Sequence, residues 1–130
     1  MNRPFRVSVV DDDEAVRESL ESLLKSMGYR VNTFAAAEQF LQLDDTSATD
    51  CLILDVRLGG MSGPDLQREL IARSRTVPIV FITAHGDEMT RARVMADGAV
   101  ECLVKPFSEE VLLAAVNAGF GRIHDTPVTG

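Results

Sequence analysis

CLILDVRLGGMSG, residues 51–63, is the stretch that decides the fold. Its first four residues form an uninterrupted apolar run, which is typical of a strand that is covered on both faces of a sheet. The run ends in Asp55, and the chain then enters a glycine-rich loop. A carboxylate at the end of such a strand lies at the rim of a dry core, where an unpaired charge is costly. The stretch therefore predicts a buried strand and raises the question of what Asp55 does at its end.

Apolar runs of strand length alternate with segments of helical period along the chain. The predicted strands are FRVSVV (5–10), RVNTF (30–34), CLIL (51–54), PIVFIT (78–83) and ECLV (101–104). Helix signals lie between them: Asp13 can cap the first helix, Pro64 opens the third, and Ser108 begins the fifth. A fourth helix covers roughly 87–97, whereas AAAEQFLQL (35–43) is the weakest helical pattern. Five strands alternating with five helices predict an α/β fold, with a parallel sheet covered on both faces.

Composition places the chain among single-domain globular proteins. Of its 130 residues, 45% are apolar and 25% are charged, and no stretch approaches the ~20 apolar residues that a membrane span needs. The net charge of −7 argues against nucleic acid or an anionic membrane as a direct partner. Cys51 and Cys102 lie in strand-like runs and form no CxxC pair, which is typical of reduced core residues in a cytoplasmic protein. We expect one domain over 1–122, and a tail or the beginning of a linker over 123–130.

Polar side chains follow four of the five predicted strands. Asp11 and Asp12 come directly after the first strand and Asp55 after the third, while Thr83 ends the fourth and Lys105 follows the fifth. In open α/β sheets, ligands bind beyond the carboxyl ends of the strands, where the strand order reverses. We therefore expect these acidic, hydroxyl and ammonium groups to meet at one edge of the sheet.

This set of groups suits phosphoryl chemistry. Clustered carboxylates raise each other's pKa unless a cation joins them, and carboxylate oxygens are the ligands that Mg²⁺ prefers. A metal, a hydroxyl and a lysine together neutralise phosphoryl oxygens, and an aspartate beside them can accept the phosphoryl group as an acyl phosphate. The alternative is that each acid only caps a helix or lies solvated in a loop. We adopt that interpretation for Asp13, and the functional one for Asp11, Asp12 and Asp55 taken together with Lys105.

Four motifs carry a resemblance to a known family. VVDDDEAVRESL, LILDVRLGGMSG, VFITAHGD and VKPF occur in order and at suitable distances. With them the chain resembles the receiver domain of two-component response regulators, most closely the FixJ/NarL-type transcriptional regulators, over about residues 5–120. The resemblance implies the flavodoxin-like (CheY-like) fold, a doubly wound five-stranded parallel sheet in the order 2-1-3-4-5 with five helices.

The resemblance also implies a metal site and a phosphoacceptor. A sensor histidine kinase would pass its phosphoryl group to Asp55. Asp12 and Asp55 would bind Mg²⁺ directly, joined by the backbone carbonyl of Arg57, and Asp11 would act through a water molecule. The run DDD leaves the register open by one residue, and the following EAVRESL fixes the acidic pair as Asp11 and Asp12.

Further roles follow from the same analogy. Thr83 and Lys105 would hold the phosphoryl oxygens, with a cis peptide between Lys105 and Pro106. His85 lies where the family tunes the access of water to the acyl phosphate, and the side chain of Arg57 can play the same part. A lone His is more often simply exposed, so we hold the modulating role as the minority interpretation.

Two residues depart from the family pattern. The family usually has a proline where this chain has Gly59, so the loop after Asp55 should be less ordered in advance. Three residues before Lys105 the family places a switching Tyr or Phe, and this chain has Cys102. The small cysteine side chain cannot move through the volume that an aromatic ring does. We therefore expect an altered relay of the phosphorylated state to the surface formed by the fourth helix, fifth strand and fifth helix. The phosphorylation chemistry itself should be retained.

The sequence thus predicts a signalling phosphoacceptor, not an enzyme, although it would assist its own phosphorylation and dephosphorylation. It would relay its phosphorylation state to an output that regulates transcription. A phosphorylation-dependent homodimer could form through the fourth helix, fifth strand and fifth helix. The alternative is a stand-alone receiver that acts through protein contacts. A flavodoxin-type binder is disfavoured because three aspartates would repel its phosphate. A haloacid-dehalogenase-type hydrolase is disfavoured because Arg57 stands where that class has a second Asp.

Overall fold

The computed structural model describes residues 4–43 and 48–124, and the side chains of these residues up to 121. Strands and helices alternate strictly over this part of the chain. The elements are β1 (Arg6–Val10), α1 (Glu14–Ser26), β2 (Arg30–Phe34), α2 (Ala37–Leu41), β3 (Cys51–Asp55), α3 (Gly63–Ala72), β4 (Ile79–Thr83), α4 (Glu88–Ala96), β5 (Glu101–Val104) and α5 (Glu109–His124). No helix in the described ranges is both long and apolar enough to cross a membrane.

The five strands form one parallel sheet, as the alternation of elements predicts, and their order is β2-β1-β3-β4-β5, as the family resemblance implies. The chain leaves β1 for β2 on one side and later returns to place β3 on the other side. The strand order therefore reverses between β1 and β3, and this is the position at which open α/β sheets bind ligands. The register aligns Val10 with Leu54, so that the carboxyl ends of β1 and β3 lie side by side.

Strand β3 is apolar up to its last residue because both of its faces are covered. Cys51 and Ile53 belong to the hydrophobic cluster under α1 and α5, whereas Leu52 and Leu54 belong to the cluster under α2, α3 and α4. All four side chains are fully buried. Successive side chains of a strand point to opposite faces, so a run without polar alternation requires a layer of helices on each side.

The helix boundary signals are confirmed with small shifts. Asp13 is the N-cap of α1 and accepts hydrogen bonds from the backbone N–H groups of Ala15 and Val16. The third helix begins at Gly63, one residue before the predicted Pro64, because the Ser62 side chain caps it. Strands β1 and β4 each begin one residue later than predicted, and β3 extends one residue further to include Asp55.

The second and last helices depart most from the sequence prediction. Helix α2 keeps only five residues of the weak 35–43 pattern. Helix α5 continues to His124 and so passes the boundary that we expected after residue 122. Near its end Phe120 is buried and stacks on Phe5, with ring centroids 4.0 Å apart, which fastens the last turns to the domain. The remainder of the predicted tail, residues 125–130, lies outside the described residues.

Candidate functional site

The predicted strand-end residues meet at one edge of the sheet. Asp11 follows β1 and is fully buried, Asp55 ends β3 and is 7% exposed, and Thr83 ends β4 and is 4% exposed. Lys105 follows β5, and its backbone N–H donates to the carbonyl oxygen of Thr83 over 2.8 Å. Parallel pairing therefore brings an acid, a second acid, a hydroxyl and an ammonium from four strands into one site.

Three carboxylates form the centre of this site. Asp11, Asp12 and Asp55 each place one carboxylate oxygen within 4.8 Å of the others. Asp11 and Asp55 are buried, whereas Asp12 is exposed. Oxygen ligands at this spacing, with one exposed member, fit a hard divalent cation that keeps several of its waters. These side chains therefore form a candidate magnesium site.

Lys105 supplies the positive charge that the buried acids need. Its Nζ atom lies 3.1 Å from Oδ2 of Asp11 and 3.7 Å from Oδ2 of Asp55. The peptide bond between Lys105 and Pro106 is cis, as the resemblance predicts. The Lys105 side chain is 24% exposed, so it keeps contact with solvent at the mouth of the site. The arrangement places one cation against two buried acids, with a third acid close by.

Asp11 is the most constrained of the three acids. Its Oδ1 accepts a hydrogen bond from the backbone N–H of Asp13 over 2.8 Å, and its Oδ2 pairs with Lys105. Its backbone carbonyl accepts a hydrogen bond of 2.7 Å from Nη1 of Arg17. No pattern in the sequence indicates this contact, because an arginine in the first turns of α1 is expected to be solvated. Arg17 thus joins α1 to the end of β1.

The environment of Asp55 opposes its ionisation. Burial raises the pKa of the Asp55 carboxyl from its ordinary value of 3.8 to about 6, and the charge of Asp11 contributes to this increase. Lys105 and the backbone N–H of Arg57, which donates to Oδ1 over 3.2 Å, partly offset this pKa shift. A carboxylate in this state gains from any further cation. The electrostatics therefore agree with the oxygen ligands in favouring a metal ion.

The Thr83 hydroxyl is engaged within its own loop. It donates to the backbone carbonyl of His85 over 3.0 Å and accepts from the backbone N–H of His85 over 3.2 Å. The structure therefore brings the hydroxyl to the edge of the sheet but directs it toward residue 85. For Thr83 to donate to a group on Asp55, its hydroxyl has to give up the bond that it donates to the His85 carbonyl.

A small cavity of about 50 Å³ lies behind this loop. Thr83, His85, Arg57 and Cys102 are among the residues that line it, together with the beginning of α4. His85 and Arg57, the two residues considered for a modulating role in the minority interpretation, thus border the same cavity as Cys102.

Arg91 fastens α4 to β5 beside Cys102. Its Nη1 donates to the backbone carbonyl of Cys102 over 2.8 Å, and its Nη2 lies 3.0 Å from Oε1 of Glu101. The same Glu101 oxygen accepts from the backbone N–H of Cys102 over 2.9 Å. Sequence reasoning missed Arg91, because a charge on the exposed side of a short helix carries no pattern that indicates such a partner.

Comparison with known proteins agrees with this geometry. Residues 7–117 match the family model described as response regulator receiver domain. The chain is 46% identical over 117 residues to the response regulator protein TodT of Pseudomonas putida and 41% identical over 122 residues to the transcriptional regulatory protein FixJ of Azorhizobium caulinodans. These alignments cover 90% and 94% of this chain but 52% and 58% of the relatives, so the chain spans little more than half of their length. A low-resolution structure of the response regulator StyR superposes with a TM-score of 0.86 at 48% identity, covering 92% of this chain and 61% of the other.

Proposed function

The chain belongs to the family of response regulator receiver domains, and from that premise we propose that Asp55 accepts a phosphoryl group from the phosphohistidine of a sensor histidine kinase. One observation carries the proposal: the buried Asp55 carboxylate ends β3 beside two further acids and within 3.7 Å of the Lys105 ammonium. This is an arrangement in which negative charge on an incoming phosphoryl group can be neutralised from several sides.

Each side chain has a distinct part in the proposed reaction. An oxygen of Asp55 forms the new bond to phosphorus, and the bond between phosphorus and the kinase imidazole nitrogen breaks, its electron pair remaining on that nitrogen. Lys105 shifts from the carboxylates toward a phosphoryl oxygen. Thr83 exchanges the hydrogen bond that it donates to the His85 carbonyl for one to another phosphoryl oxygen.

Magnesium is the proposed cofactor. Asp12, Asp55 and the backbone carbonyl of Arg57 would hold it directly, and Asp11 through a water molecule. When bound, it supplies positive charge to the phosphoryl oxygens. The cluster of carboxylate oxygens and the raised pKa of Asp55 support the assignment.

We further propose that the domain is a signalling phosphoacceptor and not a turnover enzyme, located in the cytoplasm, where its two free cysteines remain reduced. His85 and Arg57 border the cavity next to Thr83, which supports a role for them in controlling the access of water to the acyl phosphate.

The output is proposed to be transcriptional. The FixJ relative is named a transcriptional regulatory protein, and this chain spans 58% of it. Exposed apolar side chains occur on α4, β5 and α5, where Met89, Val104 and Val111 are 83%, 47% and 46% exposed. They support a phosphorylation-dependent homodimer through this face. The alternative remains a stand-alone receiver that signals by protein contacts alone.

The central test is modification of Asp55. The protein is incubated with Mg²⁺ and acetyl phosphate, and the product is analysed by intact mass and by peptide mapping after borohydride reduction. We expect one phosphoryl group on the wild type, none on Asp55→Asn, and full modification of the control Asp13→Asn, because Asp13 only caps α1. Wild-type levels of modification on Asp55→Asn would refute the assignment.

A further inference from the structure

The loop that follows Asp55 has high conformational freedom in its sequence. Two glycines, Gly59 and Gly60, occupy its centre, and Gly60 has a φ of +83°. Hydrogen bonds fix the base of the loop, where the Val56 N–H donates to Ile82 and the Val56 carbonyl accepts from Gly63. Glycine has more conformational freedom to lose than any other residue, so the centre of the loop needs another source of order.

Glu38, in the first turn of α2, reaches this loop from another element of the fold. Its Oε2 accepts a hydrogen bond from the backbone N–H of Met61 over 3.0 Å, across 23 residues of sequence. This bond is the largest cause that holds the pKa of the Glu38 carboxyl below its ordinary value. The ionised carboxylate is therefore the form that the loop binds, and such charge-assisted bonds are the stronger ones.

The shape of the loop is fitted to this contact. A Cβ atom built at Gly60 would lie 2.7 Å from Oε2 of Glu38, so the Glu38 carboxylate would have to move from its present position. The absence of a side chain and the positive φ at Gly60 together let the carboxylate approach the Met61 N–H. Gly59 differs, because a Cβ atom added there would have nothing within 4 Å and its φ is not in the left-handed region. Atoms added at position 59 thus meet nothing, whereas a side chain at position 60 would displace the Glu38 carboxylate.

We propose that Glu38 is a positioning residue for the metal site: by holding the backbone at Met61, it fixes the loop that carries Arg57. The proposal rests on the proposed function, in which the Arg57 carbonyl is a magnesium ligand. The Arg57 N–H also donates to Oδ1 of Asp55, so the same loop orients the phosphoacceptor. The contact from α2 supplies the order that a proline at position 59 supplies in the family pattern.

Four variants test this role: Glu38→Ala, Glu38→Gln, Gly59→Pro, and the double variant Glu38→Ala with Gly59→Pro. Mg²⁺ affinity is measured by isothermal titration, and exchange of the Met61 amide hydrogen is measured by NMR without metal. We expect Glu38→Ala to weaken Mg²⁺ binding about two- to tenfold, the range that one lost hydrogen bond gives, and to speed Met61 exchange. Glu38→Gln keeps an acceptor oxygen but loses the charge that strengthens the bond, so its loss of Mg²⁺ affinity should be clearly smaller than that of Glu38→Ala.

The double variant separates positioning from charge. If Gly59→Pro restores much of the Mg²⁺ affinity lost in Glu38→Ala, loop order is the cause, since the proline restores no charge. Equal Mg²⁺ affinity in wild type and Glu38→Ala, with Met61 exchange accelerated, would overturn the proposal, because the contact would then order the loop without serving the site. Loss of affinity in Glu38→Gln equal to that in Glu38→Ala would also overturn it, in favour of a simple charge effect. Failure of the wild type itself to bind Mg²⁺ or accept phosphoryl would refute the proposed function instead.

Discussion

Replacing the phosphoacceptor should make the metal-free domain more stable. Burial raises the pKa of Asp55 from 3.8 to about 6, so its ionisation above that pH is less favourable in the folded than in the unfolded chain. Each pKa unit corresponds to about 1.4 kcal/mol, and the shift therefore corresponds to about 3 kcal/mol at neutral pH. Because the carboxylate keeps some contact with solvent, we take about 2 kcal/mol as the working magnitude. Asp55→Asn removes this charge and keeps an oxygen that can accept from the Arg57 N–H.

The sign of the pH dependence follows from the direction of the shift. Between about pH 4 and pH 6 the folded state holds a proton on Asp55 that the unfolded state has released. The stability contributed by this group is therefore present below pH 4 and is lost as the pH rises toward and through 6. Asp55→Asn should lack this loss. Because about half of the loss has already occurred at pH 4.5, its advantage over the wild type should be about 1 kcal/mol greater at pH 7.5 than at pH 4.5.

Urea unfolding followed by circular dichroism, with EDTA present, measures this difference at the two pH values. Asp13→Asn is the matched control, because asparagine caps a helix as well as aspartate does and the position is exposed. We expect the free energy of unfolding of the control to differ from wild type by less than about 0.5 kcal/mol at either pH. An Asp55→Asn variant that is no more stable than wild type at pH 7.5, or whose advantage is the same at both pH values, would refute the reasoning.

Two further predictions concern β5 and the residue that follows it. Lys105→Ala leaves Asp11 buried without its cation, so the free energy of unfolding at pH 7.5 should fall by about 1–3 kcal/mol. Added Mg²⁺ should recover most of this loss, and urea unfolding with and without Mg²⁺ measures it. A loss of stability that Mg²⁺ leaves unchanged would contradict the prediction. Cys102→Tyr supplies the ring that the family uses, so beryllofluoride should promote dimerisation more in this variant than in the wild type; equal and strong dimerisation of both in sedimentation would show that the ring is not needed.

The fold could be predicted from the sequence because its signals are local. The apolar run of β3, the cap at Asp13 and the glycines that end helices act within a few residues of each other. Gly28 and Gly98 follow α1 and α4 and have positive φ, the conformation in which many helices end. The convergence of Asp11, Asp55 and Lys105 followed as well, because parallel pairing brings all strand ends to one edge.

The end of α5 was harder to predict because glycine weakens a helical pattern. A tail is expected from residue 123 because no helical period continues there, and Gly119 and Gly121 lower the helix propensity just before it. In the structure a Cβ at Gly119 would lie 3.2 Å from Sγ of Cys51, so this glycine serves close packing of α5 on the sheet. Burial of Phe120 then outweighs the loss of helix propensity, which is a tertiary effect that periodicity does not report.

The side-chain contacts with backbone groups around the site could not be predicted either, because they also depend on tertiary structure. Arg17, Arg91 and Glu38 each bind a backbone group outside their own helix, over separations of 6, 11 and 23 residues. A backbone carbonyl is present at every position and an N–H at nearly every one, so no residue type marks the partner. Such contacts become visible only when the chain is folded.

Asp55 lowers the stability of the metal-free domain at the end of a buried strand, and this loss of stability explains its position because it favours cation binding. For packing alone, an asparagine or an apolar residue would serve better there, since the ionised carboxylate destabilises the metal-free domain at neutral pH. Among the described residues of the site, the cluster contains three acids, and the ammonium of Lys105 pairs with two of them, Asp11 and Asp55. A bound cation relieves this excess of negative charge, and a ligand that binds only the folded state stabilises it in proportion to its affinity. The same charge excess that lowers stability therefore drives cation binding, so both the stability gained in Asp55→Asn and the stabilisation by Mg²⁺ should diminish together as the pH falls below 6.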